Sequence, residues 1–167
     1  MKLSVKILMS AAVLLSAGMV IAAPGKGPGN HHQAPRRHTT STRHYQIMDN
    51  YQEAQRLAQK TRKPIMIIFS GSDWCGWCIK LEKEVFSKPE FKNWAKDNII
   101  VYLADFPRKN YLSAEKAKQN NLLLKEYGVR GFPTVLIVNE KGKILGKTGY
   151  RPGGPQKYVD HLKKIIR

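Results

Sequence analysis

The stretch Ile65-Met66-Ile67-Ile68-Phe69 runs without a polar residue into the turn Ser70-Gly71-Ser72-Asp73, and from there into Trp74-Cys75-Gly76-Trp77-Cys78. An apolar run of this length has the size of a strand, and a strand apolar at every position must be covered on both faces. Ile79, Glu82, Lys83 and Phe86 then suit a helix leaving the turn. The chain must therefore set a pair of cysteines at the junction between a central strand and a helix start.

These are the two cysteines of a 167-residue chain, three positions apart. A bridge closing so small a loop restricts the unfolded chain little, so a purely structural staple is a weak reason to keep it. A zinc site needs about four ligands, and outside the N-terminal tail the remaining candidate is the distant His161. Redox chemistry suits the pair better. Cys75, at a helix N-terminus, meets unpaired N–H groups and a dipole that favour its thiolate, the attacking species. Cys78, one turn on, is placed to close an internal disulfide. In this scheme Cys75 attacks a substrate disulfide and Cys78 resolves the mixed disulfide.

The front of the chain reads as an export signal. Met1-Lys2 and Lys6 make a basic start, and Ile7 to Ala22 is apolar or small throughout. That run suits a signal h-region better than a membrane span. Cleavage is expected after Ala22, because a cut after Ala23 would leave Pro24 first; an uncleaved anchor is the alternative. Residues 23–44 form a basic tether of Gly, Pro, Ser, Thr, His and Arg, including His31, His32, His38 and His44. Such a composition buries little and reads as disordered. Residues 45–167 are left for one domain. Export places the protein in the periplasm, where disulfides persist.

The formal charge is +17, of which +11 lies from Tyr45 onward. Its basic residues are scattered among acids and form no run that tracks a phosphate backbone, so nucleic acid is not an expected partner. Peripheral contact of the basic tail with an anionic membrane is compatible with it.

Further along, Asp49 with Gln52 suggests a capped helix that stops before Pro64. Ser87 and Glu90 have capping-box spacing around Pro89, and Ile99 to Leu103 is a second strand. Ser113 to Tyr127 is helical, with Glu115 as capping partner and Gly128 as terminator. Val135 to Val138 and Lys143 to Thr148 flank a hairpin turn, Asn139-Glu140-Lys141-Gly142, and Pro155 to Ile166 closes the chain as a helix. This order predicts an α/β fold with a mixed sheet between helical layers.

From Tyr45 to the end the chain resembles the thioredoxin-fold family, on Trp74-Cys75-Gly76-Trp77-Cys78 and Gly131-Phe132-Pro133-Thr134. Asp73 through Cys78, Leu81-Glu82-Lys83 and Phe86-Ser87-Lys88-Pro89 resemble its periplasmic disulfide reductase branch, the C-terminal domain of DsbD and exported DsbH-type proteins. The resemblance implies a cis Phe132–Pro133 bond, Pro133 packed beside the dithiol, and backbone groups of Phe132 offered to an extended substrate. It also matches Glu82 to an acid near the dithiol that influences proton transfer from Cys78; an exposed helix acid is the plain alternative.

Two departures stand out. Thioredoxin carries a buried Asp about six residues before its first cysteine, where this chain has Ile68 and Phe69; Glu82 or Asp73 could substitute. Gly76-Trp77 between the cysteines supplies no charge to stabilise a strongly acidic nucleophile, which favours the reducing half of the family's range. Trp74 and Trp77 suit an apolar docking rim. The expected function is thus reduction of disulfides in exported proteins, with electrons from a membrane donor of DsbD type and no cofactor or metal beyond the Cys75–Cys78 disulfide. Oxidase or isomerase activity, or a binding module with an idle disulfide, are the competing readings.

Overall fold

The computed structural model describes residues 44–167. The expected signal peptide, its cleavage site and all of the tether except His44 lie outside the described residues. Among the described residues no helix is long and apolar enough to cross a membrane.

The sheet has five strands in the order β1-β3-β2-β4-β5, comprising β1 (Ile47–Met48), β2 (Ile65–Ser70), β3 (Ile100–Asp105), β4 (Thr134–Val138) and β5 (Ile144–Thr148). β1, β3 and β2 are parallel, while β4 and β5 run antiparallel to their neighbours. This is the expected mixed sheet, and β2 is its central strand with every residue buried.

Alternation along β2 explains its continuous apolar run. Met66 and Ile68 face a core made with Leu81, Phe86, Phe91 and Leu162. Ile65, Ile67 and Phe69 face a second core with Tyr51, Ala54, Tyr102 and Leu123. The first core lies under α2 (Gly76–Leu81), α3 (Pro89–Asn98) and α5 (Gly154–Ile165), and the second under α1 (Tyr51–Thr61) and α4 (Ala114–Glu126). Two helical layers therefore cover the two faces of one strand, as a residue pattern without polar positions demands.

Several local expectations shift. Asn50, not Asp49, caps α1, its side chain accepting the Glu53 amide at 3.1 Å; Asp49 instead pairs with Lys116 across to α4. Starting one residue later puts Tyr51, Ala54 and Ala58 inward together. The Ser87 capping box does not form. Lys88 occupies the cap position, and the Ser87 hydroxyl donates back to the Lys83 carbonyl at 3.1 Å. Ser113 does cap α4 through the Lys116 amide, at 3.4 Å. Gly128 ends that helix at φ 59°, where a side chain would be strained. The short strand β1 was not expected, and β3 extends beyond Leu103 to Asp105.

The helix after the cysteines also departs from expectation. It widens into one π-helical turn over Glu82–Phe86. Such turns are rare and are found mostly at functional sites. This one turns Val85 and Phe86 inward side by side, both essentially fully buried.

Candidate redox site

β2 ends at Ser70, and Gly71 begins the turn that presents the cysteines. The amides of Trp74 and Cys75 donate to the Gly71 carbonyl at 3.3 and 2.9 Å. A Cβ on Gly71 would fall 2.4 Å from the Trp74 ring, so the indole packs directly over this glycine. Gly71 is a site residue that the cysteine motif does not itself reveal. Gly76, between the cysteines, has no heavy atom near its missing Cβ, so packing does not require glycine there.

Cys75 stands at the N-cap of α2 in an extended conformation, and its sulfur accepts the Cys78 amide at 3.3 Å. Cys75 and Cys78 are joined as a disulfide with Cα atoms 5.2 Å apart. Exposure is 8% for Cys75 and 5% for Cys78, so what a partner can reach is limited to the rim of the pair.

The Phe132–Pro133 bond is cis, as the resemblance implied. The Thr134 hydroxyl donates to the Gly131 carbonyl at 2.7 Å and fixes this turn. Gly149 packs beneath it, since a Cβ there would lie 3.0 Å from the Pro133 carbonyl oxygen. Pro133 shares with Cys78, Ile68, Leu103 and Glu82 a cleft of about 520 Å3 on one side of the disulfide. On the other side, Cys75 shares a cleft of about 380 Å3 with Trp74, Leu124, Val129, Arg130 and Phe132. The disulfide and the cis-proline turn thus form the wall between two hollows.

Of the two residues replacing the usual buried acid, Ile68 lines the cleft beside Cys78, whereas Phe69 belongs to the core on the opposite face. Glu82 is the acidic group of that cleft. Glu82 is exposed overall, but partial desolvation on the cleft side raises its carboxyl above the ordinary range, opposed by the charge of Lys92. Asp73 is otherwise occupied. Its carboxylate accepts the amides of Arg108, Lys109 and Asn110 at 2.9, 2.6 and 3.2 Å. Those bonds, the Arg108 amide foremost, lower its pKa. An acid so engaged and so acidic is a poor proton acceptor. Asp73 is therefore an anchor for the loop after β3, with its carboxylate oxygens engaged by that loop's amides.

The two tryptophans sit differently. Trp74 is 37% exposed; its indole N–H donates to the Phe106 carbonyl at 2.7 Å and its ring meets Phe132 edge-on at 6.0 Å. Phe106 in turn stacks on Phe132 at 5.1 Å. Trp77 is 58% exposed and leans on Tyr150 at 5.0 Å, with the Lys80 ammonium 5.2 Å from both rings. Tyr150 donates to Glu84 at 2.7 Å. Aromatic surface therefore flanks the disulfide on two sides. Among the described residues no group of three His, Cys, Asp or Glu side chains could hold a metal ion.

The thioredoxin-like domain family model matches residues 51–165. The disulfide bond reductase DsbH of Chlamydia pneumoniae is 36% identical over 119 residues, covering 71% of this chain and 72% of that protein. A solved structure of the DsbH oxidoreductase superposes with a TM-score of 0.71 at 34% identity, covering 83% of this chain and 94% of that one. The thiol:disulfide interchange protein DsbD of Photorhabdus laumondii is 29% identical over 102 residues, which is 60% of this chain but 16% of DsbD.

Proposed function

The chain belongs to the thioredoxin-like family, and from that premise we propose that it is a disulfide reductase acting on exported proteins in the periplasm. One observation carries the chemistry: a disulfide at a strand-to-helix junction, walled by a cis-proline turn and reachable only at its rim. Direction rests on Gly76-Trp77, which places no charge between the cysteines, and on the relative named a disulfide bond reductase.

The cycle starts from the dithiol. The Cys75 thiolate, supported by the Cys78 amide, attacks one sulfur of the substrate disulfide. That S–S bond breaks, a Cys75–substrate disulfide forms, and the other substrate sulfur leaves as a thiolate that takes up a proton. Cys78 then loses its proton, with Glu82 the neighbouring acid for it, and attacks the Cys75 sulfur. The internal disulfide forms and the second substrate thiol departs. Two electrons pass from protein to substrate; of the two protons the product thiols gain, one is the Cys78 proton and the other comes from solvent, because Cys75 enters as the thiolate. Backbone groups of the half-buried Phe132 would align the substrate as a short strand. A membrane donor of DsbD type would return the dithiol, and residues 1–22 would direct export with 23–44 as a basic tether.

Reduction of insulin by the dithiol tests this reading. We expect turnover by the parent, none with Cys75→Ser, and a stable Cys75–substrate adduct with Cys78→Ser. Insulin left intact by the reduced parent would overturn it.

A further inference from the structure

Three acidic side chains on the segments that flank the disulfide already have partners. Asp73 holds three loop amides. Asp105 accepts both the amide and the hydroxyl of Ser72, at 2.9 and 2.6 Å. Glu84 accepts from Tyr150 at 2.7 Å and stands 3.9 Å from Lys80. The arginines differ. Arg130 lines the same cleft as Cys75. The Arg108 guanidinium lies 4.0 Å from the centre of the Trp74 ring. Both are exposed, and neither makes an ion pair among the described residues.

Arg108 is also held in place. Asp73 binds its amide and the next two, and the Trp74 indole N–H binds the Phe106 carbonyl just before it. The loop therefore carries a fixed backbone, and an aromatic face strips water from one side of the guanidinium. A free, partly desolvated guanidinium is a fork for a carboxylate.

We propose that Arg108 and Arg130 form a basic collar beside Cys75 that selects disulfides whose cysteines are flanked by acidic residues. The occupant is an extended acidic segment of the substrate, and the idea rests on the reductase reading above. Complementary charge at such a rim raises the encounter rate and orients the partner, and salt weakens both effects.

The test uses the reduced full chain and two cyclic peptides, alike except for Asp or Lys on either side of each cysteine. Second-order reduction rates are measured at low and high salt. We expect the Asp peptide to react about tenfold faster at low ionic strength, with the ratio falling toward unity at about 0.5 M salt. In Arg108→Ala/Arg130→Ala the preference should largely vanish. Lys141→Ala/Lys143→Ala removes equal charge at the hairpin beyond the far end of β4 and should preserve it.

Equal loss of preference in both double variants would assign the effect to net charge and overturn the collar. Equal slowing of both peptides by the arginine variant would assign the arginines to thiolate stabilisation, and would overturn it too. A parent that reduces neither peptide would instead overturn the reductase reading beneath it. Thermal melts of each variant establish that the fold is retained.

Discussion

At the scale of single residues, Gly71 sets the geometry of the motif as firmly as the cysteines do. Its missing Cβ is the space that the Trp74 ring occupies. Gly71→Ala must push the indole aside and loosen its hydrogen bond to Phe106. Overpacking of this kind costs about 1–3 kcal/mol. Denaturant midpoints should fall accordingly, and tryptophan emission should move with the displaced ring; an unchanged midpoint and spectrum would contradict the packing described. The cysteines themselves were legible at once, because strand, turn and helix start are contiguous in sequence. Gly71 was not, since its neighbour in space is a side chain whose direction the sequence does not specify. The same holds for Asp73. As an acid next to the motif it looked available for proton transfer, but its partners are amides 35 to 37 residues away.

At the scale of elements, the π-helical turn of Glu82–Phe86 places Glu82 in the cleft that Cys78 lines. Its raised pKa means the folded protein binds that proton more tightly than the unfolded chain does. Stability is then lost as pH rises from the ordinary carboxylate range through the raised folded value. Glu82→Gln removes the ionisation and should melt higher than the parent near pH 7.5. The difference should disappear near pH 4, where both carry a neutral side chain. If Glu82 also takes part in the exchange, the same variant will shift the Cys78 titration in the reduced protein; an unchanged Cys78 would confine the residue to a stability role.

A second element-scale prediction concerns the hold of α4 on the sheet. Asn120 accepts from the buried Tyr102 hydroxyl at 2.5 Å and donates to the Asp105 carbonyl at 2.9 Å. Asn120→Ala leaves both without these partners, so a loss of about 1–3 kcal/mol is expected in chemical denaturation. Periodicity revealed α1 and α5, whose apolar stripes face a core, while a continuous apolar run revealed β2 and the cap Ser113 with the terminator Gly128 revealed α4. Periodicity missed β1, whose two residues are too few to carry a period. It also missed the π-helical turn, because a single extra residue in one turn barely disturbs a helical pattern.

At the scale of the whole molecule, the two covering layers follow from β2, since a strand apolar on both faces must be buried on both, and the mixed sheet follows from the order of helices and strands with its closing hairpin. The placement of the cis-proline turn beside the cysteines does not follow from periodicity. It comes from the sheet order, which sets β4 antiparallel to β2 with Thr134 opposite Phe69. Family resemblance supplied that juxtaposition, and the fold realises it. What the whole molecule must then decide is the direction of electron flow, because the same cysteine pair and the same cleft serve reduction and oxidation alike.

The equilibrium potential of the Cys75–Cys78 couple, measured against a glutathione buffer, is the most direct test of that claim. Potentials in this fold run from about −270 mV in thioredoxin to about −120 mV in a strong oxidant. A disulfide reductase with no charge between its cysteines should lie toward the thioredoxin end, below about −200 mV. A value near the oxidant's would mean that the protein delivers disulfides and would contradict the account.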